Sequence, residues 1–228
     1  MQALVSMLAS SQRKHVGRWM QSFRHGYLLD TPVPWLTFDA IDFISMHVGP
    51  HSRVFEYGSG GSTLFWAHLG ARCTSVEHDG SWFHEVRRRL GDRAAVDYRL
   101  VAPESLPDGA ADLDASDPRA YGTADASLRR HSFRAYASQI DQFPDEHFDV
   151  VLVDGRARPS CVMHGAPKVK PGGLLVIDNT ERAYYLERTR EYLADYTAHQ
   201  FRGAVPSLAH WTCTTVLVRN VRMEPDRR

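Results

Sequence analysis

The residues with the clearest chemical meaning are the glycine-rich segment 58–61 and its neighbours. An apolar run that ends in the carboxylate of Glu56 is followed by the turn Gly58-Ser59-Gly60-Gly61 and then by the helix-compatible residues 64–69. Glycines let a chain turn sharply and let a ligand approach the backbone, while the amides at the start of a helix donate hydrogen bonds. The pattern predicts a strand, a loop and a helix that bind a nucleotide-like cofactor.

The charge beside this loop distinguishes two classes of cofactor. A dinucleotide would bring a pyrophosphate close to the Glu56 carboxylate, and Thr63 stands where the dinucleotide motif has its third glycine. S-adenosylmethionine carries an ammonium and a sulfonium instead. A second predicted strand, residues 72–77, ends in Glu77, at the spacing from the glycines where an acid can accept the ribose hydroxyls. We therefore expect S-adenosylmethionine. The predicted contact residues are Glu56, Tyr57, Gly58, Ser59, Gly60, Ser62, Thr63, Glu77 and His78.

With its glycine loop and Glu77, the chain resembles the class I methyltransferases, and the resemblance runs from about residue 54 to residue 218. It implies methyl transfer from S-adenosylmethionine. The order of apolar segments predicts the fold directly, because strands that alternate with helices and end in a hairpin indicate a doubly wound sheet. We predict a Rossmann-like α/β fold with seven strands, a terminal antiparallel hairpin and added N-terminal helices.

The boundaries predicted for these elements complete the domain organisation. Residues 1–50 form a helical extension that packs on the core, residues 51–220 form the methyltransferase domain, in which residues 103–131 are an inserted loop or lid, and residues 221–228 form a tail. The later predicted strands are 96–101, 148–154, 174–179, 201–206 and 211–218, and the predicted helices are 2–23, 38–47, 81–90, 133–140, 159–169 and 187–199.

Oxygen-bearing side chains follow the fourth and fifth predicted strands, namely Asp154, Asp178 and Asn179. If these strands are neighbours, the three side chains converge at one edge of the sheet. Hard oxygen ligands suit Mg²⁺ or Mn²⁺ better than zinc. The arrangement resembles the metal-dependent catechol-type and sugar O-methyltransferases, which implies that these residues ligate a metal that holds a substrate hydroxyl. Alternatively, Asp154 caps the next helix and Asp178-Asn179 forms a turn.

The general base differs from the catechol-type pattern. Those enzymes have a lysine three residues after the first aspartate, where this chain has Ala157. The resemblance to sugar-acting relatives implies an Asp or a His as the general base, and the candidates are Asp154, His131 and His164. A catechol substrate is therefore disfavoured.

The predicted function is an O-methyltransferase, assisted by Mg²⁺, that acts on a hydroxyl of a sugar, glycan or polar natural product. Arg156 and Arg182 are the predicted substrate-binding residues. Two alternatives stay open. One is metal-free methylation of a small aromatic or carboxylate substrate, with Arg156 or Arg182 holding an anion. The other is a module that binds the adenosyl group without catalysis.

The composition of the chain limits the classes of binding partner and the cellular location that we expect. The 228 residues suit one domain, and 27 Lys plus Arg balance 27 Asp plus Glu, so no net charge favours nucleic acid. The cysteines, Cys73, Cys161 and Cys213, are odd in number and far apart, which indicates a reducing compartment. We expect no membrane span, a cytoplasmic location and a small-molecule or oligosaccharide acceptor, with a homodimer left open.

Overall fold

The computed structural model of the protein describes residues 2–91 and 96–221. Apart from Val221, the predicted tail 221–228 lies outside the described residues. In chain order the strands are β1 (Arg53–Tyr57), β2 (Arg72–Glu77), β3 (Val96–Leu100), β4 (Glu104–Ser105), β5 (His131–Ser132), β6 (Phe148–Val153), β7 (Val169–Ile177), β8 (Tyr196–Gly203) and β9 (Thr212–Arg219). Among these residues no helix combines the length and the apolar composition that a membrane crossing requires.

Seven of these strands form one mixed sheet in the order β3-β2-β1-β6-β7-β9-β8, which confirms the predicted seven-stranded fold. The first five strands in this order are parallel, whereas β9 is antiparallel to both β7 and β8. Strands β4 and β5 form a separate antiparallel pair. The sheet order reverses between β1 and β6, and ligands bind beyond the carboxyl ends of strands at such a point.

Helices cover both faces of the sheet. They are α1 (Gln2–Leu8), α2 (Val16–Gln21), α3 (Tyr27–Asp30), α4 (Phe38–Ser45), α5 (Gly61–His68), α6 (Gly80–Leu90), α7 (Arg134–Ala137), α8 (Arg158–Gly165) and α9 (Tyr184–Glu187). Short 3₁₀ turns occupy residues 11–15, 126–128, 138–142, 166–168 and 190–193.

The central strands β1 and β6 are mostly apolar, as expected for strands that are covered on both faces. Val54 of β1 and Val150 of β6 belong to the core under the N-terminal helices, whereas Phe55 and Val151, the next residue of each strand, belong to the core on the other face. Successive side chains of a strand point to opposite faces, so a strand between two cores reads as an unbroken apolar run. This burial fixes the sheet that positions the candidate site.

The predicted helix 187–199 is wrong, because β8 already begins at Tyr196. Most of β8 is exposed at the sheet edge, so its residues show no alternating apolar pattern that would mark a strand. Pairing with β9, from Tyr196 opposite Arg219 to Gly203 opposite Thr212, determines its conformation instead. Strand β7 begins at Val169, five residues before the predicted strand 174–179.

The helices before β1 are joined by what we call the N-terminal acid cluster, Asp39 and Asp42. The Asp39 carboxylate lies 2.7 Å from Lys14 Nζ and 2.9 Å from His15 Nε2, and Asp42 Oδ1 lies 2.6 Å from Arg18 Nη1. His15, Asp39 and Asp42 could together offer three ligand atoms to a metal ion. The chain's own cations already pair with these carboxylates, so we assign the cluster a structural role.

Candidate active site

The loop after β1 turns on two glycines whose backbone conformations are rare for other residues. Gly58 has a φ of 86° and Gly60 a φ of 155°. A Cβ at Gly58 would lie 2.8 Å from the Cα of Gly155, so the turns that follow β1 and β6 approach each other closely. Side chains at these positions would strain the backbone or block this approach.

Glu56 lies beneath the loop and not in a ligand cleft. Its side chain is fully buried, Oε1 accepts a hydrogen bond from Thr63 Oγ1, and Oε2 accepts one from Trp66 Nε1 at 2.9 Å. Thr63 Oγ1 in turn accepts from the Gly60 amide at 3.0 Å. Burial raises the pKa of Glu56, and these hydrogen bonds oppose the rise. Glu56 therefore shapes the loop, in place of the direct cofactor contact expected from the sequence.

Glu77 connects the loop to the end of β2. Its Oε2 accepts from the amide and the hydroxyl of Ser59 at 3.0 and 2.8 Å, and Oε1 accepts from the amides of His78 and Asp79 at 2.7 and 2.9 Å. Burial alone would raise the pKa of Glu77, but the His78 ring, whose Nδ1 lies 2.8 Å from Oε1, and the amides of Asp79 and Ser59 lower it, so the carboxylate is ionised. The Ser59 hydroxyl also lies 2.6 Å from Tyr98 OH, which offers it a second partner.

A cleft of about 630 Å³ opens beyond the carboxyl ends of β1, β2, β6 and β7. It brings together nine of the predicted site residues: Gly58, Ser59, Glu77, His78, Asp154, Arg156, Asp178, Asn179 and Arg182. Tyr57, Gly60, Ser62, Thr63, Glu56, His131 and His164 are not among the lining residues. Tyr57 and Thr63 are instead fully buried, and the Tyr57 hydroxyl donates to Ala137 O at 2.7 Å.

The two histidines proposed as general bases lie away from the cleft. His164, on α8, has Nδ1 2.8 Å from Asp141 Oδ1 and Nε2 3.3 Å from Tyr121 OH. His131 belongs to the separate ribbon of β4 and β5. Neither lines the cleft, so the structure does not place them to accept a proton from a substrate bound there. Of the three predicted bases, Asp154 alone lines the cleft.

Two tryptophans form aromatic walls of the cleft. The Trp82 Nε1 donates to Ser59 O at 2.8 Å, and the Trp35 Nε1 donates to Pro206 O at 2.7 Å. Trp82 is 37% exposed and Trp35 46% exposed, so both rings keep surface available to a ligand. The sequence reasoning missed Trp82. An aromatic residue in the first turn of the helix after Glu77 was the signal that could have found it.

Asp154 and Asp178, which we call the cleft acid pair, share one guanidinium. Arg158 Nη2 donates to Asp154 Oδ1 at 2.9 Å, and Arg158 Nη1 lies 4.0 Å from Asp178 Oδ2. The Asp178 Oδ1 atom accepts from Thr214 Oγ1 at 2.7 Å. Neither Arg158 nor Thr214 is among the site residues predicted from the sequence. For Arg158 the available signal was a guanidinium only four residues after Asp154, close enough for the turn that follows β6 to bring the two side chains together.

The electrostatics of the cleft acid pair follow from burial. Burial and the neighbouring Asp178 charge raise the pKa of Asp154 well above its ordinary value, and Arg158 opposes the rise. Burial likewise raises the pKa of Asp178, against Arg158 and the hydrogen bond from Thr214. One guanidinium shared by two carboxylates is too little positive charge to lower both pKa values.

The residues present do not fit the divalent metal that the sequence predicts. A magnesium ion needs several oxygen ligands free of other cations. The Asp154 carboxylate is already paired with Arg158, and one Asp178 oxygen is held by Thr214. A dication here would have to share the cleft acid pair with a guanidinium whose side chain is 8% exposed. We therefore derive no step through a metal.

A second cavity, of about 240 Å³, shares Gly155, Arg156, Arg158 and Arg182 with the cleft. Arg156 lies 3.1 Å from Asp125 Oδ2, and Arg182 Nη1 donates to Tyr185 OH at 2.9 Å. The hydrogen bond with Tyr185 raises the pKa of Arg182. Three guanidiniums around one chamber, with Asp125 as its lining carboxylate, make this side of the site electropositive.

No family model matches the sequence, and no curated protein does. The structure is similar to an O-methyltransferase from Bacillus cereus in complex with S-adenosylhomocysteine, at 14% identity and a TM-score of 0.54, with 96% of this chain and 98% of that chain covered. The fold is that of the class I S-adenosylmethionine-dependent methyltransferases. The O-methyltransferase TomG of Streptomyces achromogenes, involved in tomaymycin synthesis and solved with S-adenosylmethionine, has 15% identity, a TM-score of 0.53 and 96% coverage of both chains.

A methyltransferase-like protein from Silicibacter pomeroyi is 22% identical, with a TM-score of 0.50 and coverage of 81% of this chain and 87% of that one. At identities this low the structural similarity shows the class I methyltransferase fold alone, and the chemistry has to be argued from the site itself.

Proposed function

We propose that the protein is an S-adenosylmethionine-dependent O-methyltransferase that acts on a hydroxyl of a sugar, glycan or polar natural product. The observation that carries the proposal is the single cleft in which the glycine loop and the ionised Glu77 face the cleft acid pair. In this proposal the donor and a polar acceptor bind side by side at the reversal point of the sheet, where open α/β sheets bind their ligands.

The donor half of the cleft supports adenosyl binding. Glu77 would accept hydrogen bonds from the ribose hydroxyls. The Ser59 hydroxyl, which donates to Glu77 Oε2 in this structure, can then donate to Tyr98 OH instead. Gly58 lines the cleft with its backbone, and Trp82 adds an aromatic face to the same wall. When bound, S-adenosylmethionine supplies a methyl group on a positively charged sulfur.

The acceptor half supports removal of a proton from a hydroxyl. Asp154 lines the cleft with 23% of its side chain exposed, and its raised pKa makes it a stronger base when ionised. Arg158 holds the carboxylate in place through a hydrogen bond of 2.9 Å. We therefore assign Asp154 the role of general base. Magnesium assistance stays a prediction from the sequence, and the position of Arg158 argues against it.

A second candidate function is metal-free methylation of an acceptor that carries an anion, such as a small aromatic acid. The cavity lined by Arg156, Arg158 and Arg182 favours it, because a carboxylate held by guanidiniums would lie directly beside Asp154. A cytoplasmic location, a homodimer and a lid function of residues 103–131 likewise stay predictions.

The test separates donor binding from chemistry. Calorimetry of the purified protein with S-adenosylmethionine should show one equivalent bound, and failure to bind it would refute the proposal. Labelled donor should then transfer methyl to neutral glycosides or phenols, or to their acid-bearing analogues if the second candidate is correct. Stoichiometric donor binding without transfer to any of these would favour the non-catalytic module.

Asp154→Asn tests the general base within the same experiment. It should retain donor binding and lose about 10²- to 10⁴-fold in turnover, the usual contribution of a positioned base. His164→Asn is the matched control, because His164 lies outside the cleft, and it should keep its turnover. Equal losses in the two variants would remove Asp154 from this role.

A further inference from the structure

The guanidinium of Arg158 is bound by backbone as well as by carboxylates. Nε donates to Gly155 O at 3.1 Å, Nη2 donates to Asp154 O at 3.2 Å, and Nη1 donates to Asp178 O. With the bond to Asp154 Oδ1, four donor contacts from one side chain are satisfied at the ends of β6 and β7. The guanidinium is therefore a built part of the site and differs from a surface ion pair.

From this arrangement we propose that Arg158 is the permanent counter-ion of the cleft acid pair and takes the place of a divalent metal. The acid pair is then a latent metal site, which becomes available only when the Arg158 side chain is removed. This inference does not rest on the proposed function, because it concerns cation binding and needs no methyl transfer.

The local backbone shows how the sequence produces this arrangement. Ala157, the residue before Arg158, has a φ of 47°, a left-handed conformation that is uncommon for a residue with a Cβ. It precedes the first residue of α8, and the turn directs Arg158 back toward Asp154, four residues earlier. The Arg158 guanidinium also lies 5.5 Å from the centre of the Tyr185 ring, which covers it on the side of α9.

Displacement of Arg158 by a metal ion would be unfavourable for two reasons. The three backbone carbonyls would lose their donors, and buried carbonyls without partners are costly. Desolvation alone would lower the pKa of the Arg158 guanidinium, but Asp154 and Asp178 raise it, so the guanidinium cannot lose its charge to make room for a dication. A divalent metal should therefore bind at this edge of the sheet only in a variant that lacks the Arg158 side chain.

Mn²⁺ binding tests the inference directly. The free Mn²⁺ signal in electron paramagnetic resonance is titrated with five proteins: the wild type, Asp154→Asn, Arg158→Gln, Arg156→Gln and the double variant Arg158→Gln with Asp154→Asn. Arg156→Gln is the matched control, because it removes a guanidinium from the same cleft that pairs with Asp125 and not with the acid pair. The quantity compared is the Mn²⁺ binding that the Asp154→Asn substitution removes. Mn²⁺ bound by the N-terminal acid cluster is unaffected by this substitution and is therefore not counted.

We expect the wild type and Arg156→Gln to bind no Mn²⁺ through Asp154. Arg158→Gln should bind one equivalent with a Kd at least about tenfold below the highest Mn²⁺ concentration at which the wild type still shows no such binding, and the double variant should lose it. One equivalent bound by the wild type and lost in Asp154→Asn would overturn the proposal. So would an Arg158→Gln protein that still binds S-adenosylmethionine but no Mn²⁺.

If Arg158→Gln does not fold, thermal denaturation of the wild type and of Asp154→Asn tests the proposal. The melting temperature of the wild type with bound S-adenosylmethionine should be the same in EDTA and in Mg²⁺, because a ligand that binds the native state raises it. A rise with Mg²⁺ that Asp154→Asn removes would overturn the proposal. Absence of donor binding would instead count against the proposed function and leave the Mn²⁺ titration valid.

Discussion

Two pairs of carboxylates in this chain are both neutralised by the chain's own cations, yet the pKa of Asp39 in one pair moves in the opposite direction to the pKa values of Asp154 and Asp178 in the other. In the N-terminal acid cluster, burial alone would raise the pKa of Asp39, but hydrogen bonds from His15, Lys14 and Gln12 lower it from 3.8 to about 2. In the cleft acid pair, burial raises the pKa of Asp154 and of Asp178. The number of donors per carboxylate, set against desolvation, decides the sign.

The difference indicates what each pair can do. A carboxylate with three donors stays ionised and acts as a structural anchor. A carboxylate that shares one guanidinium with a neighbour stays basic, and Asp154 combines this with access to the cleft. Raised pKa values in a cleft are typical of sites that transfer protons.

The largest expected effect on stability comes from removal of the Arg158 guanidinium, and removal of the Arg18 guanidinium serves as the comparison. Arg158→Gln should lower the free energy of unfolding by about 3–5 kcal/mol, because it leaves two buried carboxylates without their cation. Arg18→Gln should cost only about 0–1 kcal/mol, since Arg18 and Asp42 are 40% and 46% exposed. Urea denaturation of both variants measures the difference. Similar losses would show that burial does not separate the two pairs.

Asp39→Asn comes next. It removes the charged acceptor of Gln12, His15 and Lys14, of which His15 is nearly buried, and should lower the free energy of unfolding by about 1–3 kcal/mol. The seven-stranded sheet should persist in circular dichroism. A loss no larger than that of Arg18→Gln would mean that the hydrogen bonds to Asp39 contribute little.

The dependence of stability on pH should have opposite signs in the two regions. The lowered pKa of Asp39 means that its contribution is present above about pH 3.8 and is lost as the pH falls towards 2. With their raised pKa values, Asp154 and Asp178 bind more protons in the native state, so their contribution declines as the pH rises above 3.8.

Denaturation at a series of pH values checks both signs. Asp39→Asn should reduce the loss of stability between about pH 4 and 2, by about 1–2 kcal/mol after allowance for solvent screening. Asp154→Asn should instead reduce the decline above pH 4. If Asp154→Asn flattened the acid limb, the direction of its pKa shift would be refuted.

Salt should produce the smallest effect. The exposed pair of Arg18 and Asp42 should weaken by a few tenths of a kcal/mol between low salt and about 1 M, where the Debye length falls to about 3 Å. The pairing of Arg158 with Asp154 should hardly respond, because Arg158 is buried. Double-mutant cycles at both salt concentrations measure this. An equal salt response would indicate that water reaches both pairs alike.

The sequence by itself determined the frame of the site. The order of β1, the glycine loop, α5 and β2 was predicted from residues within a few positions of each other, and so was the position of Asp154 and Asp178 at the ends of strands. Such features depend on local turn chemistry and on apolar runs, and both can be read along the chain.

Only the tertiary structure decided which groups these side chains contact. Glu56 turned out to lie under the loop, His131 and His164 away from the cleft, β8 against β9, and Arg158 between carboxylates from two strands. The pairing of Arg158 with Asp178 joins residues 20 positions apart, and Thr214 reaches Asp178 from 36 positions away. Burial and hydrogen bonding depend on neighbours that folding brings together, and no local pattern of residues encodes them.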